Sequence, residues 1–595
     1  MEHDFDVVVV GSGAAGLSAA LTCRAAGLSV AVLEKTDLYG GSTAVSGGAV
    51  WIPDNPHMTG VGHKDSRERA LRYLRATVGD RLPEAMVDAF LTEGPRMVSF
   101  LEANSECRFI ARAVSPDYQP ELDGGSQGGR TIDPAPFDGR RLGPLFKYLR
   151  PPIHSFLALG GMMVGRKDID ALLGMRRSWK AMRYSIGLVA RYALDRLRWP
   201  RGTRLLMGNA LAAALLDSAQ KAGVELRLQM DVVHLLQDAA GRVIGVEAKT
   251  PSGKDSYRAR YGVVLASGGF AQNAAMRAEH LPHATVHRSM APEGSTGDGA
   301  KLAGALGGRL AEGNHGAAFW APVSIMRERN GVETVYPHLV MDRQKPGIMA
   351  VNAAGRRFAN EASSYHDFVA AMQHAHESSP CIPAWLICDA HFLRLYGLGL
   401  VRPQAMRLHR FLDSGYLLRA ESIAELARLT GLPADALEQS VTRMNEAAQS
   451  GIDEEFGRGN SAYDRYLGDP THSPNPCLGP IRRAPFYAVQ IWPGDIGMAT
   501  GLRVDAQTRV LDARDQPIAG LYACGNDMNS IMAGTYPSAG ITLGPALTFG
   551  YIAGQSITAE ARGSAPVKAQ KPSSTVAHAH VGVHSDGRLE GLEFQ

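Results

Sequence analysis

Six cysteines are scattered through 595 residues, and no two form a CxxC or CxxCH pair. That excludes a cysteine zinc site, a redox pair of this kind and c-type haem attachment. No metal site is expected. Cys23, Cys107, Cys381, Cys388, Cys477 and Cys524 instead suit a reducing, cytoplasmic compartment. No apolar run is long enough to span a bilayer. The first strand starts within a few residues of Met1, where a secretory signal would need room. Neither sign of charge dominates: 62 Lys and Arg face 59 Asp and Glu, for a formal charge of +3. The balance argues neither for nor against nucleic acid, and no nucleic-acid partner is expected. Glycine is abundant, at 66 residues in a globular composition of 45% hydrophobic and 20% charged. This length exceeds a single hydrophobic core, so two or more domains are expected.

The glycines are most informative at the start. Phe5 to Val10 is a β-branched run that predicts a buried strand. Gly11, Ser12, Gly13, Ala14, Ala15 and Gly16 follow at once, then good helix formers to Ala26. Ser29 to Leu33 is a second strand, and Glu34 stands at its end. Strand, G-x-G-x-x-G turn, helix, strand and acid make the dinucleotide fingerprint. Gly11 allows the tight turn, Gly13 lets backbone approach a pyrophosphate, and Gly16 lets helix and strand pack closely. The helix N-terminus offers N–H groups to phosphate. Glu34 suits ribose hydroxyls. A lone fingerprint is weak, but here every part falls at the expected spacing. It allows NAD as well as FAD. Gly40, Gly41, Ser42, Ser46, Gly47 and Gly48 form a second glycine-rich stretch, read as a loop against an extended cofactor. The further glycine-ended segments favour the longer FAD.

Further along, 65–77 and 83–104 predict amphipathic helices, and 115–130 a turn-rich loop. Residues 142–204 stand apart. From Met175 to Arg204 nine arginines and lysines, including Arg176 and Arg177, interleave with Trp179, Tyr184, Tyr192 and Trp199. A basic helix with such aromatics suits a membrane surface; an ordinary solvated helix packed on the protein gives the same pattern. Helix 211–222 precedes three short strands, 224–229, 243–248 and 256–261, read as a meander. A buried strand, 262–266, ends in Ser267 and Gly268, and a glycine-rich loop at 294–299 follows. From about 320 to 488 the texture changes, with helices expected from Ser422 to Thr430 and from Pro433 to Gly451. The chain returns at Gly520 to Asn526, and an apolar helix, 546–559, follows Pro545. Its positive N-terminus would stabilise a reduced, anionic cofactor. Residues 563–595 read as a disordered tail.

The division expected is a cofactor unit of 1–320 and 489–562, carrying the 142–204 insertion, and a substrate unit of 321–488. The fold class expected is α/β with one domain inserted into another. Together the segments resemble the fumarate reductase-like flavoproteins and, more narrowly, the 3-ketosteroid Δ1-dehydrogenases, over about residues 4–560. The resemblance rests on the fingerprint, the stretch from Gly40 to Trp51-Ile52-Pro53, Pro116-Asp117-Tyr118, Arg357-Phe358-Ala359-Asn360-Glu361 with Tyr365, and Tyr536-Pro537-Ser538-Ala539-Gly540. It implies a Rossmann-like FAD-binding domain with an inserted α+β substrate (capping) domain, and FAD held non-covalently. Gly40 to Gly48 holds none of the histidine that covalent relatives use. It also implies cofactor contacts from Lys35, Val233, Ala266, Ser267, Gly268, Asp298, Gly525, Asn526, Thr542 and Leu543.

The implied reaction removes two hydrogens from C1 and C2 of a 3-ketosteroid in steroid degradation. A hydride goes from C1 to flavin N5, and a quinone or other acceptor takes the electrons on. Tyr365 would take the C2 proton, Tyr118 would ease its ionisation, and the Tyr536 hydroxyl and Gly540 N–H would hold the C3 oxygen. Two such donors are each worth on the order of 3 kcal/mol. Ionising a free tyrosine at pH 7 costs roughly 4 kcal/mol, so Tyr365 needs help. Taken singly, each tyrosine could equally be a packing residue. Ser538 keeps a rival open, because the 3-ketosteroid Δ4-(5α)-dehydrogenases carry Tyr-x-Ser here. A fumarate-type reductase would need Arg and His between Tyr536 and Pro545, and neither is there. A non-enzymatic flavin-binding protein is the bland alternative. Contact of 142–204 with the inner face of a membrane is a further expectation.

Overall fold

The structure is a computed structural model that describes residues 1–175, 178–328 and 330–563. Arg176, Arg177 and the expected tail beyond Gly563 lie outside the described residues. Val7 to Val10 and Val30 to Leu33 are buried on both faces, and two such apolar strands pair in parallel. They sit in an eight-stranded sheet of order Glu225–Arg227, Val30–Leu33, Glu2–Val10, Gly253–Leu265, Val243–Thr250 and Asp231–Gln237. Pro517–Ala523 joins the far end of Gly253–Leu265 in parallel, and Arg509–Leu511 pairs with it. The fingerprint helix, Ala14–Ala25, packs on this sheet, and the C-terminal helix, Leu543–Ala561, lies against it. That approach is close. A Cβ at Gly550 would stand 2.2 Å from the Ala15 carbonyl oxygen, and one at Gly554 2.5 Å from Thr22 Cβ.

The meander differs from the sequence reading. Its first strand is Asp231–Gln237, and Glu225–Arg227 instead extends the parallel sheet beyond Val30–Leu33. The chain breaks between them at Gln229, whose φ is +59°. There the Gln229 and Met230 N–H groups turn to the carbonyls of Thr36 and Glu34. The strands expected at 256–261 and 262–266 are one, Gly253–Leu265, antiparallel to the meander in its first half and parallel to Pro517–Ala523 in its second. The glycine-rich stretch at 40–48, expected as a loop, contains a single helical turn, Gly41–Val45.

A second, seven-stranded sheet runs Glu333–Pro337, Ala318–Arg327, Phe486–Met498, Ala384–Asp389 and Ile348–Val351, with Arg288–Ser289 and Leu418–Ala420 on its long central strand. One apolar cluster gathers Phe368, Leu386 and Val489, and another gathers Leu426, Met444 and Ala488. Tyr365 and Tyr463 belong instead to the large core built on the first sheet. The seam between the two sheets therefore runs through the tyrosines. The basic stretch forms two helices, Arg166–Gly174 and Trp179–Arg196, the second mostly exposed. Among the described residues no helix is long and apolar enough to cross a membrane, and all six cysteines are free and buried.

Candidate active site

The first strand delivers Gly11 into a turn with φ +109°. A Cβ there would lie 2.2 Å from the Ala266 carbonyl oxygen, and one at Gly16 2.2 Å from the Gly11 oxygen. Both positions demand glycine. Beside Gly13 the space is open: a Cβ would meet only Thr43 Oγ1, at 3.7 Å. At Gly47 it would meet nothing within 4 Å. Ala14 N–H donates to Thr43 Oγ1 at 2.9 Å, which joins the fingerprint helix to the helical turn at Gly41 and Ser42. Ser46 Oγ donates to the Thr43 carbonyl and accepts the Gly48 N–H. Glu34 is buried. Its carboxylate accepts from Ser12 Oγ at 2.5 Å and from the Thr36 N–H and hydroxyl, while Ser12 Oγ accepts the Gly40 N–H. Lys35 reaches Asp298 at 2.9 Å. Val233 lies at a register shift in its strand, between Val232 and His234.

Ala266, Ser267 and Gly268 come off the end of Gly253–Leu265. Ser267 N–H and Oγ both donate to the buried Asp527 carboxylate, which also accepts the Gly269 N–H at 2.9 Å. Burial, above all, pushes Asp527 up from the usual carboxylate range. Asp527 thus ties this strand end to Gly525 and Asn526. Thr542 and Leu543 open the C-terminal helix. The expected cofactor residues other than Val233, which lies within the antiparallel strand Asp231–Gln237, come mostly from the ends of the parallel strands of a mixed sheet and the turns that follow them, where α/β folds bind ligands. The open space beside Gly13 and Gly47, the Ala15 and Gly16 N–H groups, which have no partner among the described residues, and the acid at Glu34 fit a dinucleotide with a pyrophosphate.

The tyrosines meet from distant segments. Tyr118 N–H donates to the Pro537 carbonyl at 2.9 Å, and Tyr73 Oη donates to the same oxygen at 2.6 Å. Just before it, Asp117 is buried and accepts from Trp51 Nε1, Ser126 N–H and Arg130. Arg130 is 1% exposed and also grips Asp65 at 2.7 and 2.9 Å. Trp51 N–H donates in turn to the Gly540 carbonyl at 3.1 Å. One buried network therefore fixes Tyr118 against the segment 536–540. Tyr365 begins the helix Tyr365–Ser378, capped by Ser364 Oγ. The turn ahead of it is held by Glu361, fully buried, which accepts from Arg357, Arg458 and the Ala350 N–H. The Arg357 to Glu361 motif thus acts as scaffold for Tyr365.

All these rings are buried. Tyr118 and Tyr536 stack at 5.5 Å, and Tyr365 stands edge-on to both, at 5.8 and 5.2 Å. Burial pushes every phenol up. The three are not equal. The hydroxyls of Tyr118 and Tyr536 act to lower Tyr365, the neighbouring Tyr463 acts to raise it, and the nearby Arg112 cation acts to lower it. Tyr365 in turn raises Tyr118 and Tyr536. Tyr365 is therefore the phenol its neighbours favour as the anion. Gly540 has φ +98°, and a Cβ would stand 2.6 Å from the Trp51 nitrogen. Its carbonyl accepts the N–H groups of Trp51 and Gly544, while its own N–H finds no protein acceptor among the described residues. Burial drives His366 down to about 3, so its Nδ1 stays neutral and accepts the Trp320 N–H at 3.1 Å. A cleft of about 1010 Å³ adjoins Tyr536 and His366, walled by Glu279, Arg309, Glu312 and His374.

Ser538 is fully buried, and its hydroxyl lies near the Asp117 carboxylate without a hydrogen bond of ordinary geometry among the described residues. Sequence reasoning missed Thr43, Asp527, the Asp65–Arg130–Asp117 network and a fourth phenol, Tyr463, 4.6 Å from Tyr118. Of these, Thr43 and Asp117 sat inside motifs that carry the resemblance. Tyr463 follows Ser461 in an S-x-x-D helix start, which gives no hint of a site.

The FAD binding domain family matches residues 6–543. A 3-oxosteroid 1-dehydrogenase of Mycolicibacterium smegmatis is 39% identical over 94% of this chain and 98% of its own length. A 4-oxocyclohex-2-ene-1-carboxylate 5-dehydrogenase of Sinomonas cyclohexanicum is 36% identical over 93% of each. The crystal structure of a 3-ketosteroid Δ1-dehydrogenase from Sterolibacterium denitrificans, in complex with 1,4-androstadiene-3,17-dione, superposes with a TM-score of 0.86 at 39% identity, covering 94% of this chain and all of that one. The chain belongs to the FAD-dependent oxidoreductases of the FAD binding domain family, in the branch that contains the 3-oxosteroid 1-dehydrogenases.

Proposed function

We propose that this chain dehydrogenates a 3-ketosteroid at C1–C2. The observation that carries the reading is the convergence of Tyr365, the phenol its neighbours make easiest to ionise, with a Tyr536 hydroxyl and an unpartnered Gly540 N–H. Most of 1–320 and 489–562 forms the cofactor unit and 321–488 the substrate unit, whose sheet also takes in Arg288–Ser289 and the whole of Ala318–Arg327 and Phe486–Met498. FAD is held non-covalently by backbone N–H groups at Gly13, Ala15, Gly16, Gly41 and Ser42 and by Glu34. When bound, the flavin supplies a two-electron acceptor for the C1 hydrogen. Tyr365 takes the C2 proton. The charge left behind flows to the C3 oxygen, where Tyr536 and Gly540 donate to it. Tyr118 donates to the Tyr365 oxygen and lowers the cost of its ionisation. A quinone or another carrier then accepts the electrons.

Anaerobic mixing with 4-androstene-3,17-dione tests this directly. The flavin band near about 450 nm should bleach and the 1,4-diene should form. Bleaching only with 5α-androstane-3,17-dione would assign the Δ4-(5α) reaction. Bleaching only with 4-oxocyclohexanecarboxylate would retain ketone desaturation and remove the steroid.

The same reading places the enzyme in the cytoplasm, touching the inner face of a membrane through 142–204. Trp179, Ile186, Leu194 and Leu197 are between 56% and 78% exposed and share one stripe of the basic helix. Lys180, Arg191 and Arg198 flank that stripe, and all are exposed. Co-sedimentation with anionic but not neutral vesicles is expected. Equal recovery in the supernatant with both would remove the contact.

A further inference from the structure

One buried phenol has no part in the mechanism above. Tyr463 is 3% exposed, and its ring lies 4.6 Å from Tyr118, nearer than Tyr118, Tyr365 and Tyr536 lie to one another. Among the described residues its hydroxyl makes no hydrogen bond of ordinary geometry, although the Tyr118 hydroxyl lies near enough to act on it. A buried O–H left unpaired is disfavoured and rare. The helix that carries it, Ala462–Leu467, is firmly held. Ser461 Oγ accepts the Asp464 N–H, and the Asp464 carboxylate accepts from Gly459 N–H and from Asn360 Nδ2, each at 2.9 Å. Asn360 belongs to the turn that leads into Tyr365. The element bearing Tyr463 is therefore tied to the element bearing Tyr365, with Tyr118 between the two rings. Besides Tyr118 and Tyr365, the titratable and charged groups that face Tyr463 are Arg343, Asp367 and Asp464. Arg343 donates to the carbonyls of His338 and Glu361, and no free acceptor is offered from that side.

We propose that Tyr463 is a positioning residue for the dehydrogenation: its hydroxyl donates to the Tyr118 oxygen during proton removal and so keeps the Tyr118 proton aimed at Tyr365. This rests on the reading of Tyr365 as the base. A phenol can accept one hydrogen bond while donating another, and such chains strengthen each member. Three phenols in series then share the charge that would otherwise rest on Tyr365 alone.

The test is Tyr463→Phe, which keeps the ring and removes only the hydroxyl. In the FAD-loaded enzyme kcat should fall about five- to tenfold, the size of one neutral hydrogen bond, with KM held within about twofold. The acid limb of the kcat/KM profile should move up by roughly half to one pH unit. A purely structural tyrosine would change FAD content or thermal midpoint and leave the limb where it was. A profile that superposes on the parent's overturns the proposal. Replacing Tyr463 alone with 3-fluorotyrosine, a stronger donor, gives the opposite sign without loss of any group: the limb should move down, and an unmoved limb counts against the proposal. Tyr365→Phe is run beside them. If it keeps its rate, the base assignment is wrong and this inference falls with it. If it is inactive while Tyr463→Phe is parent-like, only the role of Tyr463 is lost.

Discussion

The cofactor cradle and the tyrosine cluster are built on opposite principles. The cradle lies largely within the first 48 residues and works through backbone N–H groups, so its identity is written in glycines that exclude a Cβ. The cluster draws Tyr118, Tyr365, Tyr463 and Tyr536 from four segments spread over most of the chain and works through side-chain hydroxyls. A backbone site depends on local φ and close approach. A side-chain site depends on whatever holds its segments together, here the Asp65–Arg130–Asp117–Trp51 network and the Glu361 turn. Losing an atom should therefore harm the cluster, whereas adding one should harm the cradle.

The largest effect should come from removing one oxygen from the cluster. Tyr365→Phe keeps the ring packing of a buried residue and deletes the proposed base. Loss of a positioned base costs about 10²- to 10⁴-fold, so steroid-driven bleaching should slow by at least about 10³ while bound FAD is retained. A rate within tenfold of the parent would break the comparison on its side-chain half.

Adding one carbon to the cradle comes next. Gly11→Ala would place a methyl 2.2 Å from the Ala266 oxygen at a φ of +109°. Such a position costs about 1–3 kcal/mol for its dihedral alone, and the overlap adds to it. FAD should be lost on purification, with the apoprotein less stable by roughly 3 kcal/mol or more. Ser12→Ala, which removes an atom at the same site, should keep FAD. If the two variants lose FAD alike, the cradle is not a backbone site.

Changing pH probes the cluster without changing any atom. Burial raises Tyr365 above its ordinary value, so the reactive anion is the minor form through neutral pH. Each pH unit below that value lowers its fraction tenfold. The value of kcat/KM should therefore climb toward alkaline pH with a slope near one. Stability moves the other way. Tyr118, Tyr365 and Tyr536 are all raised on folding, so their contribution is intact below the ordinary tyrosine value of about 10 and is lost as pH rises above it. A rate that peaks in mild acid would exclude a phenol as the base.

The sequence was legible where the chemistry is local. Strand, turn, helix and acid at fixed spacing could be read because Gly11, Gly16 and Glu34 act on neighbours a few residues away. Both ends of the helix from Ser422 could be read for the same reason: Ser422 Oγ accepts the Glu425 N–H, and Gly431 adopts φ +74°. The meander was misread because the break at Gln229 depends on carbonyls of Glu34 and Thr36, some two hundred residues earlier. Tyr118 and Tyr365 could be singled out only through their motifs, since each alone is an ordinary buried aromatic. Tyr463 and Asp527 lay in no recognised motif, and only folding brings them to the site.

The smallest expected effect decides the finest point. Ser538 stands where a Tyr-x-Ser pattern would suggest Δ4-(5α) chemistry. To direct regiochemistry its hydroxyl would have to reach the steroid. Here the side chain is fully buried, and the hydroxyl lies near Asp117, whose contacts run to Trp51, Ser126 and Arg130. Ser538→Ala should therefore leave the 1,4-diene as product and the rate within about threefold. Stability should be unchanged or slightly raised, because the buried hydroxyl that is removed has no hydrogen-bond partner of ordinary geometry among the described residues. A change of product would mean that the hydroxyl turns toward the substrate when the steroid binds, and that the cluster has a fifth working oxygen.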